Sequence, residues 1–380
     1  MPLAPLLRSV HLENFKGVHA MTVDFERLTV LVGPNAIGKT SILEGVLVAG
    51  FLAQRLLQSG SLHGALAGRW SPEFLVRHGQ LRTAVDVRVG QSRLRMTIDS
   101  TRDTGVRWLH PHEPDPTRAQ EMPADRAMLE VLSGAIKLRL DQEQIASPSP
   151  AVQSAPELTS DGSGLASYLQ YLHGRRDGTL DAIEEHTQKV IPRFRRVQFR
   201  PTSVTQEERE AIVINGEHIL QPARLRQLPA TELHVEFDDG IVPATHASEG
   251  TMIVLALMAA AYAPRRSSLL LVDDLDRALH PSAQVRVIEA LRSALEVSPS
   301  LQIIATSHSP DLVNACQSEE VRVLGLDPKR GPVAASLADH PEAARWLKQL
   351  GPGEFWDSAG EEWVSKLGKE AQARAGTGHG

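Results

Sequence analysis

Apolar residues along the chain fall into three patterns. Short unbroken runs at residues 28–32, 268–272 and 301–305 have the length and branched-chain content of strands buried on both faces. Residues 81–89 and 93–99 instead alternate apolar with polar side chains and meet near Gly90, which predicts an antiparallel pair in a small side sheet. Residues 9–13 and 20–25 read as further short strands ahead of the run at 28–32. Helical spacing covers residues 41–58, 125–134, 165–190, 252–262 and 281–295. The helix at 281–295 separates two buried strands, a βαβ rhythm that implies a parallel sheet. Two stretches, 100–123 rich in Pro, His, Asp and Thr and 146–164 rich in Ser, Pro and Gly, read as loops.

These elements divide the chain into a first core part (1–100), an inserted helical lid (101–200), a second core part (201–335), a C-terminal helical segment (336–367) and a small, polar tail (368–380) expected to be disordered. At 380 residues there is ample chain for a large core without staples. A single cysteine, Cys316, excludes an internal disulfide framework and favours a reducing, cytoplasmic setting, with Cys316 itself read as a small buried residue. No apolar run reads as long enough to span a bilayer and no signal-peptide pattern opens the chain, so no membrane is expected. A net charge of -6 argues against a surface coated in nucleic acid but leaves room for a local basic groove.

The loop after the first buried run carries the chemistry. Gly33, Pro34, Asn35, Ala36, Ile37, Gly38, Lys39 and Thr40, followed by Ser41, fit G-x-x-x-x-G-K-S/T between a strand and a helix. There, backbone N–H groups and the positive helix end meet phosphates, Lys39 reaches the β- and γ-phosphates and Thr40 holds Mg²⁺. Gly33 and Gly38 permit the tight path. ATP with Mg²⁺ is the expected ligand pair.

The run at 268–272 ends in Asp273 and Asp274, an arrangement that places one acid, Asp273, beside the metal and the other near the attacking water. Taken alone, Asp-Asp after a strand also reads as a turn or a helix cap. Pro281 suits the first turn of the next helix. His308, just past the third buried run, stands where an imidazole can touch a γ-phosphate, although alone it reads equally as a packed or capping residue. Ser248, Glu249 and Gly250, at the start of the apolar helix 252–262, form an anion-ready helix N-terminus, or simply a cap.

In this order, phosphate loop, Ser248-Glu249-Gly250-Thr251, carboxylate strand and His308, the chain resembles the SMC/RecF-like ABC-type ATPases, and especially their OLD-like AAA-type branch. The likeness extends to Val10-His11-Leu12-Glu13-Asn14-Phe15-Lys16-Gly17, Leu279-His280-Pro281, Asp161 to Ala166 with Val190 to Phe194, and Gly351 to Trp356, and so covers most of the chain. It implies an α/β P-loop NTPase of ABC/SMC-RecF type, with a mixed central sheet, an antiparallel side sheet and a helical insertion. It also implies a homodimer that sandwiches ATP, with Ser248 and Gly250 reaching the nucleotide held by the other copy, and Lys39, Asp274 and His308 as catalytic groups. The part after His308 is too short for the Toprim nuclease domain of full OLD proteins, so only the ATPase part is expected. A link to phage defence or nucleic-acid processing, and control of an effector protein, follow from the relatives alone.

The chain departs from the family in one respect. Asp274 stands where relatives usually carry Glu, one methylene longer, so slow turnover or a compensating closure is expected. The alternatives are an ATP sensor with little hydrolysis and a transporter's nucleotide-binding subunit. Gln80 and Gln198 are positional candidates for the metal-assisting glutamine. Arg193, Arg195, Arg196 and Arg200 around Phe194 and Phe199 could meet phosphates, but read better as a solvated strand face. His110, His112, Glu113 and Asp115 read as an exposed loop rather than a metal site.

Overall fold

The computed structural model describes residues 5–59, 70–100, 104–109, 123–150, 156, 158–208, 211–214, 217–220, 224–262 and 268–367. Two compact units emerge, one made of residues 1–137 with 264–380 and the other of residues 138–263.

The first unit opens with β1 (Leu7–Phe15), β2 (Val18–Asp24), β3 (Leu28–Val32) and α1 (Lys39–Ser59). A single turn, α2 (Pro72–Leu75), precedes β4 (Arg82–Val89), β5 (Ser92–Asp99), β6 (Thr104–Leu109), α3 (Pro123–Ser133) and β7 (Ala135–Leu138). The second unit contains α4 (Gln142–Ala146), β8 (Ser149–Pro150), α5 (Leu165–Arg175) and α6 (Thr179–Val190). It continues through β9 (Phe194–Glu208), β10 (Ala211–Ile214), β11 (Glu217–Leu220), β12 (Arg224–Phe237), β13 (Gly240–Pro243) and α7 (Glu249–Ala261). The chain then returns to the first unit with β14 (Ser268–Val272), α8 (Pro281–Val297), β15 (Leu301–Thr306), α9 (Pro310–Asn314), β16 (Val321–Asp327), β17 (Gly331–Ser336), α10 (Ala343–Trp346) and α11 (Pro352–Ala359).

In the first unit a six-stranded sheet runs β17-β16-β3-β15-β14-β7, and a five-stranded sheet runs β2-β1-β4-β5-β6. β14, β15, β3 and β16 are parallel, with Leu270 opposite Ile303, Ala305 opposite Val30 and Val32 opposite Val323. β17 is antiparallel on β16, so the sheet is mixed, as expected. Every residue of β3 and β15 is buried, which is why both read as unbroken apolar runs. The five-stranded sheet is antiparallel throughout, and Gly90 turns β4 into β5 at φ 58°. One apolar cluster includes Ile42, Leu43, Val46, Ala49 and Leu52 of α1, Leu12 and Val85 of the five-stranded sheet, and Leu31 and Ile304 of the six-stranded sheet.

Several expectations need correction. Residues 104–109, placed in a loop by their composition, form β6 and pair with β5. The helical stretch 165–190 is two helices broken at Gly178, which adopts φ 81°. The unit boundaries, 137/138 and 263/264, differ from an insertion at 101–200 because β6 and α3 pack on the first unit's elements, whereas the hairpin of β9 and β12 ties 194–208 to 224–237. The sequence pattern does not predict that hairpin, since its buried apolar residues, Phe194, Val197, Leu233 and Val235, are confined to one end and Pro201 and Pro229 interrupt the two strands. The helix Lys39–Gln58 is, by length and composition, apolar enough to cross a membrane, contrary to expectation. Half of it is buried within the protein, consistent with its place between the two sheets. The tail 368–380 and the histidines at 110 and 112, with Glu113 and Asp115, lie outside the described residues.

Candidate functional site

The carboxyl ends of β3, β14 and β15 lie side by side in the parallel sheet, the edge at which open α/β sheets hold ligands. β3 delivers the loop. Gly33 adopts φ 137°, and a Cβ there would sit 2.5 Å from the carbonyl oxygen of Leu324 on β16, so no larger residue fits. Gly38 at φ 109° and Ala36 at φ 61° complete a backbone that turns its amides outward. Among the described residues, the N–H groups of Asn35, Ala36, Ile37 and Gly38 donate no hydrogen bond within the protein. Free amides at the head of a 21-residue helix, which begins at Lys39, make an anion cradle. Lys39 is 6% exposed, and its Nζ donates to the carbonyls of Gly33 (2.7 Å) and Pro34 (2.9 Å). Burial lowers its pKa below that of a free lysine, opposed by the charges of Asp274, Asp273, Asp276 and Glu361.

β14 delivers Asp273 to the same edge. Its Oδ1 accepts from Thr40 Oγ1 at 3.2 Å and from Thr306 Oγ1 at 3.0 Å, while Oδ2 pairs with Lys137 Nζ at 2.9 Å. Thr306, at the end of β15, also accepts from the backbone N–H of Asp274 at 2.8 Å, so one buried hydroxyl orients both acids. Asp274 is exposed and left-handed at φ 55°, a conformation that Asp tolerates better than most residues. His308 is exposed just beyond β15, and its N–H donates to Asp276 Oδ1 at 3.2 Å. Behind it, α11 packs on α9: Asn314 Oδ1 accepts from the N–H groups of Gly353 (2.8 Å) and Glu354 (3.1 Å), and a Cβ at Gly353 would lie 1.9 Å from the carbonyl oxygen of Pro310.

Hence the structure joins Thr40 to Asp273, gathers Lys39, Asp274 and His308 at the same sheet edge, and adds Thr306, Asp276 and Lys137, which the sequence reading did not select. Thr306 and Asp276 flank motifs already noticed, whereas nothing local marks Lys137. The hydroxyl of Thr40 and the carboxylate of Asp273 are hard oxygen donors side by side, and they suit Mg²⁺ next to the phosphate cradle. Neither candidate glutamine is bonded to Asp273: Gln198 Nε2 donates to Glu236 at 2.8 Å, and Gln80 N–H closes a turn on Arg77 at 3.0 Å. In the second unit, Ser248 caps α7, its Oγ accepting from Thr251 N–H at 3.3 Å, with Glu249 and Gly250 in the first turn. Three of the arginines around Phe194 have acidic partners at the end of β12 and just beyond it. Arg196 pairs with Glu236 at 2.7 Å, Arg193 with Asp239 at 2.5 Å, and Arg195 with Asp238.

Known proteins show the same architecture. A family model described as "AAA domain, putative AbiEii toxin, Type IV TA system" matches residues 28–314, and one described as "AAA ATPase domain" matches residues 6–47. An SmcHead bound to the C-winged helix domain of ScpA superposes with a TM-score of 0.55 at 15% identity, over 88% of this chain and 98% of that one. The Smc head domain with an extended coiled coil from Pyrococcus furiosus, bound to the C-terminal domain of ScpA, gives 0.55 at 13% identity over 91% and 100%. The Septu protein PtuA of Bacillus thuringiensis is 44% identical over 59 residues, 16% of this chain and 14% of PtuA, so the match spans about a seventh of that protein. With the phosphate loop and carboxylate strand set as described, this chain shares the fold of the Smc heads and belongs to the family whose model is described as "AAA domain, putative AbiEii toxin, Type IV TA system".

Proposed function

We propose that the chain binds ATP with Mg²⁺ at Gly33 to Ser41 and hydrolyses it slowly, and that the nucleotide joins two copies into a dimer that controls an effector protein. The observation that carries this reading is the contact of Thr40 with Asp273 beneath a loop of unpaired amides. On this reading Lys39 exchanges the carbonyls of Gly33 and Pro34 for the β- and γ-phosphates. Mg²⁺, held by Thr40 and Asp273, would neutralise charge developing on the phosphates. Asp274 orients or deprotonates water, directly or through a second water, and His308 meets the γ-phosphate. Ser248, Glu249 and Gly250, at the positive end of a 13-residue helix, serve the nucleotide of the other copy. Loss of the γ-phosphate then weakens the pair.

The setting we favour is the cytoplasm, in phage defence, supported by the short likeness to Septu PtuA. A protein partner is supported by the Smc heads, which are bound to ScpA. Nucleic acid is the weaker choice, because Arg193, Arg195 and Arg196 already have acidic partners. Mass measurement by light scattering together with hydrolysis, with and without ATP, tests the proposal. The wild type should dimerise and cleave ATP, and Lys39→Ala should do neither. A wild type that stays monomeric with ATP and cleaves none refutes it.

An ATP sensor with little turnover is the second reading, favoured by Asp274: its side chain is short and exposed, and its bond to Thr306 runs through the backbone N–H. Asp274→Glu separates the two. A faster single-turnover cleavage supports limited reach, and an unchanged or lower rate counts against it.

A further inference from the structure

Lys137 pairs with the carboxylate assigned here to the metal, although no motif contains it. Its Nζ lies 2.9 Å from Asp273 Oδ2 and 4.0 Å from Glu44 Oε1. The Lys137 side chain is 13% exposed and that of Asp273 11%, so solvent screens the pair little. Glu44 follows Thr40 by one turn of α1, which puts the hydroxyl and the second carboxylate on one helix face. One ammonium therefore stands between two acids, and the other oxygen of Glu44 holds Lys16. A divalent cation reaching Thr40 and Asp273 would meet the charge of Lys137 at close range, where like charges repel strongly. The flexible four-carbon stem of lysine can carry its head group across a gap of this size without moving the backbone.

We infer that Lys137 is a built-in counter-ion of the metal site, seated on Asp273 until Mg²⁺ arrives and passed to Glu44 when it does. The lysine thereby sets how much metal the site requires, and keeps Asp273 neutralised and in place beforehand. This rests on the proposed role of Asp273 in holding the metal. The test is Mn²⁺ binding, followed by the electron paramagnetic resonance of the free ion, to the full chain with a non-hydrolysable ATP analogue. Lys137→Met should lower the half-saturating Mn²⁺ by about tenfold, and Glu44→Gln should raise it several-fold, because the displaced ammonium loses its second seat. In the Lys137→Met background the Glu44→Gln effect should shrink, which a general loss of negative charge would not produce. Unchanged or weaker Mn²⁺ binding by Lys137→Met overturns the inference. Should that variant fail to fold, unchanged binding by Glu44→Gln overturns it instead. A wild type that binds neither analogue nor Mn²⁺ refutes the nucleotide site itself, whereas tight wild-type binding matched by Lys137→Met refutes only the counter-ion role.

Discussion

Thr306→Val isolates the one hydroxyl that links the two acids. Valine keeps the shape of threonine, so the change removes hydrogen bonds without opening a cavity at a residue that is 1% exposed. The N–H of Asp274 loses its partner at 2.8 Å, a cost of about 1–2 kcal/mol for a donor left unmet. Asp273 loses a bond at 3.0 Å but keeps Thr40 at 3.2 Å and Lys137 at 2.9 Å, so its share is smaller, about 0.5 kcal/mol. The sum, about 2 kcal/mol, corresponds to a melting point lower by about 4–8 °C for a unit of this size. If the loss falls on the placement of the acids in the transition state, single-turnover cleavage slows about thirtyfold. Thermal melting with and without the nucleotide, paired with rapid-quench hydrolysis, measures both. Thr306→Ser, which retains the hydroxyl, should recover most of the rate. A Thr306→Val protein with wild-type melting and cleavage would refute the idea that this hydroxyl organises the site.

Gly33→Ala should destabilise the protein by more than about 2 kcal/mol, since its Cβ would lie 2.5 Å from the Leu324 carbonyl oxygen at φ 137°, and an unchanged melting point would contradict the loop geometry. Burial raises the pKa of Glu184, whose Oε1 accepts from Val197 N–H at 2.7 Å. A raised carboxyl pKa stabilises the fold fully below its unfolded value near 4.5, and that contribution fades as pH rises through the folded value. Accordingly, Glu184→Gln should remove a fall in stability above about pH 4.5, visible as a convergence of the two melting curves at acid pH and a gain for the variant near neutrality. Burial pushes the Cys316 thiol up to about 12, so alkylation at pH 8 should be slow in the native protein and rapid in denaturant; fast native labelling would contradict its place beside Leu312.

What the sequence determined by itself was local. The run at 28–32, the eight-residue loop and the helix after it are contiguous, so their order alone predicts the strand, loop and helix that the structure shows. Likewise Asp273 follows directly on a buried strand, and Ser248 opens a helix. Such features rest on backbone preferences and short-range periodicity, which a linear reading can detect. Contacts between distant segments were decided only by the tertiary structure. Lys137 reaches Asp273 because β7 lies beside β14, and Thr306 orients Asp273 and Asp274 because β15 runs parallel to β14. Neither lysine nor threonine carries a local signature for these tasks, and their chemistry comes from neighbours brought together by sheet order. The hairpin of β9 and β12 escaped for a related reason: its buried apolar set, Phe194, Val197, Leu233 and Val235, is confined to one end of a 14-residue register, and only the pairing of two segments distant in sequence brings the set together.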